Sequence, residues 1–150
     1  MTATATRTGR WGQERRLEFI DFRLLWERKL NRSDLTIFFG ISVPQASLDF
    51  ATYQELAPDN MAYDRTLKAY VAGPDFKPVL TNPDPAHYLN ELQQRGIGNI
   101  APTDSFIGWA PPVANLPSPM RQVDQQILIK LIRALQALSL IHISEPTRPY

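Results

Sequence analysis

Residues 31 to 56, NRSDLTIFFGISVPQASLDFATYQEL, read as a helix, a tight turn and a second helix. Ser33 is placed to cap the first helix, Leu35, Phe38 and Phe39 give it an apolar face, and Gly40 stands where a chain leaving a helix commonly needs positive φ. Ile41 fills the turn. Ser42 with Gln45 makes an S-x-x-Q capping box, and Pro44 lies in the first turn, where a missing N–H costs little, so the second helix starts at Val43. Two helices joined by so short a turn are the sequence form of a helix-turn-helix, which lays its second helix in the DNA major groove. The same pattern also suits an αα-hairpin in some other small helical domain.

Upstream, residues 11 to 29 place Leu17, Ile20 and Leu24 on one stripe and Phe19, Phe22 and Trp26 on an adjoining one, with Glu14, Glu18, Asp21 and Arg28 on the polar side. This predicts a long amphipathic helix. Its apolar face is broader than one partner helix demands, which points to packing on the helix-turn-helix and on a second subunit as well. Arg15 and Arg16 near its start are candidate phosphate contacts, and residues 1 to 10 read as a flexible arm.

Downstream, Pro58, Asp59 and Asn60 signal a turn, and short strand-like runs at Ala62 to Tyr63 and Lys68 to Val71 flank the stretch DRTLK. A β-hairpin directly behind a helix-turn-helix is a wing, and Arg65 and Lys68 near its tip suit a phosphate or the minor groove. A short helix follows from about Pro85 to Arg95, ended by Gly96, within residues 81 to 96. Residues 97 to 119, rich in Pro, Ala and Asn with isolated Phe106 and Trp109, read as a partly docked linker. Ser118 and Pro119 then open an amphipathic helix over residues 120 to 137, with Met120, Val123, Ile127, Leu131 and Leu135 on one side and nothing after it to pack against.

Composition sets bounds. The 150 residues suffice for one ordinary domain, and 43% hydrophobic with 21% charged residues is the balance of a soluble globular protein. With no cysteine there is no disulfide scaffold, thiolate zinc site or cysteine nucleophile, which fits a reducing cytoplasm. The net charge is only +1, but residues 1 to 33 carry eight Arg or Lys against four acids. No apolar run approaches membrane-spanning length. Phosphate-binding, nucleophile-elbow and H-E-x-x-H motifs are absent, and His87 has no second ligand candidate beside it, so neither an enzyme nor a metal or cofactor site is expected.

The order of elements, together with FFGISVPQASLD and YQELAP, closely resembles the N-terminal winged helix of bacterial WYL-domain transcriptional regulators, including repressors found with phage-defence systems. The resemblance covers residues 10 to 80, and SPMRQVDQQILIKLIRALQA resembles the helix that opens the WYL domain. It implies a mainly α fold with a small β-hairpin: a winged helix-turn-helix over residues 11 to 80, a Pro-rich linker, and an orphan amphipathic helix that opens a truncated WYL domain. It further implies binding of double-stranded operator DNA as a homodimer, with any effector ligand bound only by the missing WYL domain. Residues 138 to 150, LSLIHISEPTRPY, resemble a translated sequencing adaptor and are expected to be non-native.

Carried over by position, the second helix points Gln45, Ser47, Leu48 and Thr52 at DNA, because Ala46, Phe50 and Tyr53 share the core-facing stripe. Gln45 suits an adenine edge and Leu48 a thymine methyl. Residues 42 to 60 hold three acids and no base, so phosphate neutralisation falls to Arg32, Arg65, Lys68 and the N-terminal arginines. A sequence-specific DNA-binding repressor is the expected function. The alternative is a winged-helix module for dimerisation or protein docking: a basic band joining Arg32, Arg65 and Lys68 favours DNA, whereas an exposed aromatic patch without it favours docking.

Overall fold

The computed structural model describes the backbone of residues 2–111 and 123–144, and side chains over residues 12–111 and 123–139. The chain is mainly helical with a three-stranded antiparallel sheet, and divides into two units, Met1–Asn82 and Pro83–Tyr150.

The first unit opens with α1 (Thr2–Trp26), whose helical backbone runs through the residues the sequence assigns to an arm. Arg28, at φ 66°, turns the chain out of α1 into β1 (Lys29–Leu30), a strand the sequence hides inside an expected helix end. Then come α2 (Arg32–Phe39), α3 (Val43–Leu56) and a hairpin of β2 (Met61–Asp64) and β3 (Ala69–Ala72). The strand order is β1-β3-β2. Lys29 pairs with Val71 and Ala62 with Val71, so these three share the outward face, while Leu30, Tyr70 and Tyr63 share the other.

The helix-turn-helix forms through caps that differ in part from expectation. Asn31, not Ser33, caps α2: its side chain accepts from Asp34 N at 2.9 Å while Asp34 returns the bond to Asn31 N at 2.8 Å. Asparagine is as good a cap as serine, and the acid three residues on completes the reciprocal pair, which Ser33 followed by Thr36 could not do. Gly40 takes the left-handed conformation at φ 65°, as expected. Ser42 caps α3 by accepting from Gln45 N at 3.3 Å, but the return half of that box is missing because the Gln45 side chain bonds Asp49 instead.

The broad apolar face of α1 is consumed within the chain. Among the described residues of α1, Phe19, Ile20, Phe22, Leu24, Leu25 and Trp26 are buried in the single chain. Phe19, Phe38 and Phe39 form a ring cluster with centroids 4.8 to 5.4 Å apart. The Phe50 and Tyr70 rings stack at 4.1 Å, which fixes the hairpin on α3.

Asp21, expected on the polar side of α1, is wholly buried. Its carboxylate accepts from Tyr53 Oη at 2.5 Å and from the backbone N–H groups of Val79 at 3.1 Å, Leu80 at 3.0 Å and Thr81 at 2.8 Å. Asn60 completes the cluster, donating to Tyr53 Oη at 3.0 Å and to Lys77 O at 2.7 Å and accepting from Lys77 N at 3.0 Å. Buried polar groups persist only when partnered, and this set ties α1, α3 and the segment after the wing to one another. Gly73 closes the base of the wing, where a Cβ would meet Asp59 O at 2.3 Å.

The Tyr53 hydroxyl is pushed well above the usual phenol range, by burial first and by its bond to Asp21 second. The folded state therefore keeps a proton that the unfolded chain releases near pH 10. The stabilisation is whole below about pH 10 and is lost as the pH rises beyond it. Thermal melts should show the first unit losing stability through this alkaline range, and Tyr53→Phe, though weaker at neutral pH, should lose less over the same interval.

In the second unit, Asp84 caps α4 (Pro85–Gly96), and a 3-10 turn (Pro102–Asp104) follows. The stretch read as linker is tethered here: Ser105, Phe106 and Ile107 are buried, Ser105 Oγ donates to Glu91 at 2.9 Å, and Arg95 donates to Ile107 O. Trp109 is half-buried. Asp124 caps α5 (Gln125–Ser144) through the N–H groups of Gln126 and Ile127, downstream of the expected opening at Ser118 and Pro119, which lies outside the described residues. Leu128, Ile129 and Ile132 are buried, while Val123, Ile127, Leu131 and Leu135 stay exposed. Helical backbone continues through Ser144, past the point where the sequence periodicity breaks.

Candidate nucleic-acid interface

Helix α3 turns Ala46, Asp49, Phe50 and Tyr53 inward. What remains outside is an arc centred on Pro44, Leu48, Ala51 and Glu55, flanked by Ser47 and Thr52, with Gln45 at its edge. Of the four residues expected to face DNA, Leu48 is the most open, 62% exposed, and Gln45, Ser47 and Thr52 are half-buried. Thr52 Oγ1 donates to Leu48 O at 2.9 Å, so the lone pairs it presents outward are acceptors. Pro44, Ala51 and Glu55 belong to the same arc, and the 3.6-residue repeat that found Leu48 would have found them too. Glu55 is an acceptor suited to a cytosine amine.

The acidity of this segment is milder outside than the sequence suggests. Asp49 is fully buried and paired with Arg16, whose Nε lies 2.6 Å from Oδ2. One of the three acids is thus neutralised internally, and Arg16 serves as its partner inside the fold, contrary to the phosphate role expected of it. Arg15 is exposed.

The wing turn is built by Asp64, whose Oδ1 accepts from Thr66 N at 2.8 Å and Leu67 N at 2.9 Å. Lys68 closes the turn at φ 54°, a left-handed conformation that costs a side-chain-bearing residue about 1 to 2 kcal/mol. A glycine would relieve that strain, so the position retains a cation at some expense of stability. Arg65 and Lys68 are both exposed, and so is Arg32 in the first turn of α2, where the helix dipole also favours an anion. Lys29, exposed on the outward face of the wing sheet, was missed because β1 cannot be read from two residues at a helix end. No group of three metal-ligating side chains occurs among the described residues, and no described helix is long and apolar enough to cross a membrane.

A family model described as the BrxR transcriptional regulator winged helix-turn-helix domain matches residues 12–94. The DNA-binding transcriptional repressor CapW of Escherichia coli (strain KTE188) is 47% identical over 134 residues, which cover 89% of this chain and 45% of that protein. The proteins of the same name from Stenotrophomonas maltophilia and Pseudomonas aeruginosa are each 43% identical, over 91% and 95% of this chain and 46% and 48% of their own lengths. The chain spans about half the length of the curated relatives it matches.

Proposed function

Because the chain belongs to the BrxR family of winged helix-turn-helix domains, we propose that it is the DNA-binding part of a transcriptional repressor. The observation that carries this reading is the pairing of two surfaces in the first unit. The outer arc of α3 is kept clear of core packing, and the Phe50–Tyr70 stack joins α3 to a wing whose turn bears Arg65 and Lys68. In this reading Gln45, Ser47, Leu48 and Thr52 meet base edges in the major groove, while Arg32, Arg65 and Lys68 neutralise phosphates. The relatives named as DNA-binding transcriptional repressors support the same role.

The intact parent is a bacterial cytoplasmic homodimer on an operator with two-fold symmetry, and α5 opens a WYL-type domain that takes the effector ligand. Dimerisation and the effector domain follow from the sequence resemblance. The docking alternative draws less support, since the described aromatic residues of α1, Phe19, Phe22 and Trp26, are buried within the chain.

The experiment is titration of wild-type and variant chains against an inverted repeat from upstream of the gene and against random duplex. Gln45→Ala should cost roughly 1 to 3 kcal/mol on the repeat and little on random DNA, with the salt slope nearly intact because no charge is removed. If Gln45→Ala and Thr52→Ala both retain wild-type preference, α3 is not the reader and protein docking is the better account.

A further inference from the structure

Gln45 reaches the edge of the α3 arc already tethered. Its Nε2 donates to Asp49 Oδ1 at 3.1 Å, and buried Asp49 accepts from Arg16 Nε at 2.6 Å and from Arg16 Nη2 at 3.3 Å. A guanidinium only donates and an ionised carboxylate only accepts, so the direction of each bond is fixed from α1 outward. The Gln45 backbone is held as well, by the Ser42 cap.

We propose that Arg16 and Asp49 are positioning residues for base reading, which orient the Gln45 carboxamide so that Oε1 and its second N–H face outward. The proposal rests on the reading of α3 as the helix that enters the major groove. Adenine presents a donor, N6–H, beside an acceptor, N7, and matches an outward acceptor and donor. Guanine presents two acceptors, and its O6 would oppose Oε1. A glutamine free to turn over can donate a single N–H to either purine, whereas one held by a carboxylate keeps the two-bond match to adenine. An ion pair between α1 and α3 thereby sets a base preference without touching DNA.

The test is selection from a pool of random duplexes of about 20 base pairs, long enough for two half-sites, using the full 150-residue chain. Wild type should enrich adenine at one position that Gln45→Ala leaves unspecified. In Asp49→Asn, the new amide must turn its oxygen to Arg16 and so present N–H to Gln45. The Gln45 carboxamide then turns over, setting an N–H against adenine N6–H and Oε1 against N7, and the same position should lose its adenine preference by roughly tenfold. Arg16→Lys keeps a cation on Asp49 and should keep adenine, while Arg16→Met should relax the position to either purine. A merely structural pair would lower stability or affinity for all sequences without changing the preference at that one position. Adenine retained by both Asp49→Asn and Arg16→Met, where Gln45→Ala loses it, overturns the proposal and leaves the DNA reading standing. A wild-type chain that enriches no sequence overturns the DNA reading and this proposal together. If Asp49→Asn does not fold, the two Arg16 variants decide the matter.

Discussion

Asp21→Ala should cost the first unit about 3 to 5 kcal/mol, because it leaves several buried donors unpaired at once. The wild-type carboxylate is fully buried and accepts four hydrogen bonds, from Tyr53 and from the N–H groups of Val79, Leu80 and Thr81. Truncation leaves those donors facing a void that alanine cannot fill, and each orphaned group carries its own desolvation penalty of about 1 to 3 kcal/mol. The penalties do not simply add, because relaxation and water entry recover part of them. Against a typical domain stability of about 5 to 15 kcal/mol, the loss takes a large fraction of what holds the unit folded. Urea titration should show the midpoint falling steeply for Asp21→Ala, while Asp59→Ala, at an exposed site, stays within about 0.5 kcal/mol of wild type. A loss below about 1 kcal/mol for Asp21→Ala would mean that the network does not hold α3 to α1.

The second large effect is on DNA. Arg32, Arg65 and Lys68 are exposed and lie on two elements, the start of α2 and the wing turn. Each phosphate neutralised releases counterions, and log K falls with log salt by about 0.9 for each such phosphate. Replacing all three by alanine should weaken binding to operator and random duplex alike, by roughly a hundredfold at low salt, and flatten the salt slope by about one unit for each phosphate left without its cation. Urea stability should barely change, and the removal of strain at Lys68 is not expected from alanine, which shares the left-handed penalty. Slopes measured by fluorescence anisotropy would distinguish this from a loss of shape complementarity, which lowers affinity without changing the slope.

What the sequence reveals is what neighbours along the chain decide. Gly40, Ser42 and Pro44 mark the turn and the start of α3 because caps act within three or four residues, and the hairpin announces itself through alternation around DRTLK. The inward set Ala46, Phe50 and Tyr53 follows from helical spacing, as does the exposed stripe of Ile127, Leu131 and Leu135 on α5. Asp21 and Asp49 escape the same method. A carboxylate on a helix reads as solvated unless its partners are known, and Arg16 lies 33 residues from Asp49 while Thr81 lies 60 from Asp21. Strand β1 is similarly invisible, since two residues carry no periodicity and its pairing to β3 is long-range. For the site itself, the outward arc of α3 was legible, but the tether on Gln45 was not.

The most direct measurement of whether α3 lies in the major groove exploits the absence of cysteine from the chain. Leu48→Cys places a single thiol on the exposed arc of α3, to which an iron chelate that cleaves DNA by local radical production can be attached. On a selected duplex, a helix seated in the groove should confine the cuts to a few consecutive nucleotides on each strand within the bound half-site. Unaltered binding with no cleavage, or with cuts spread evenly along the duplex, would contradict that placement.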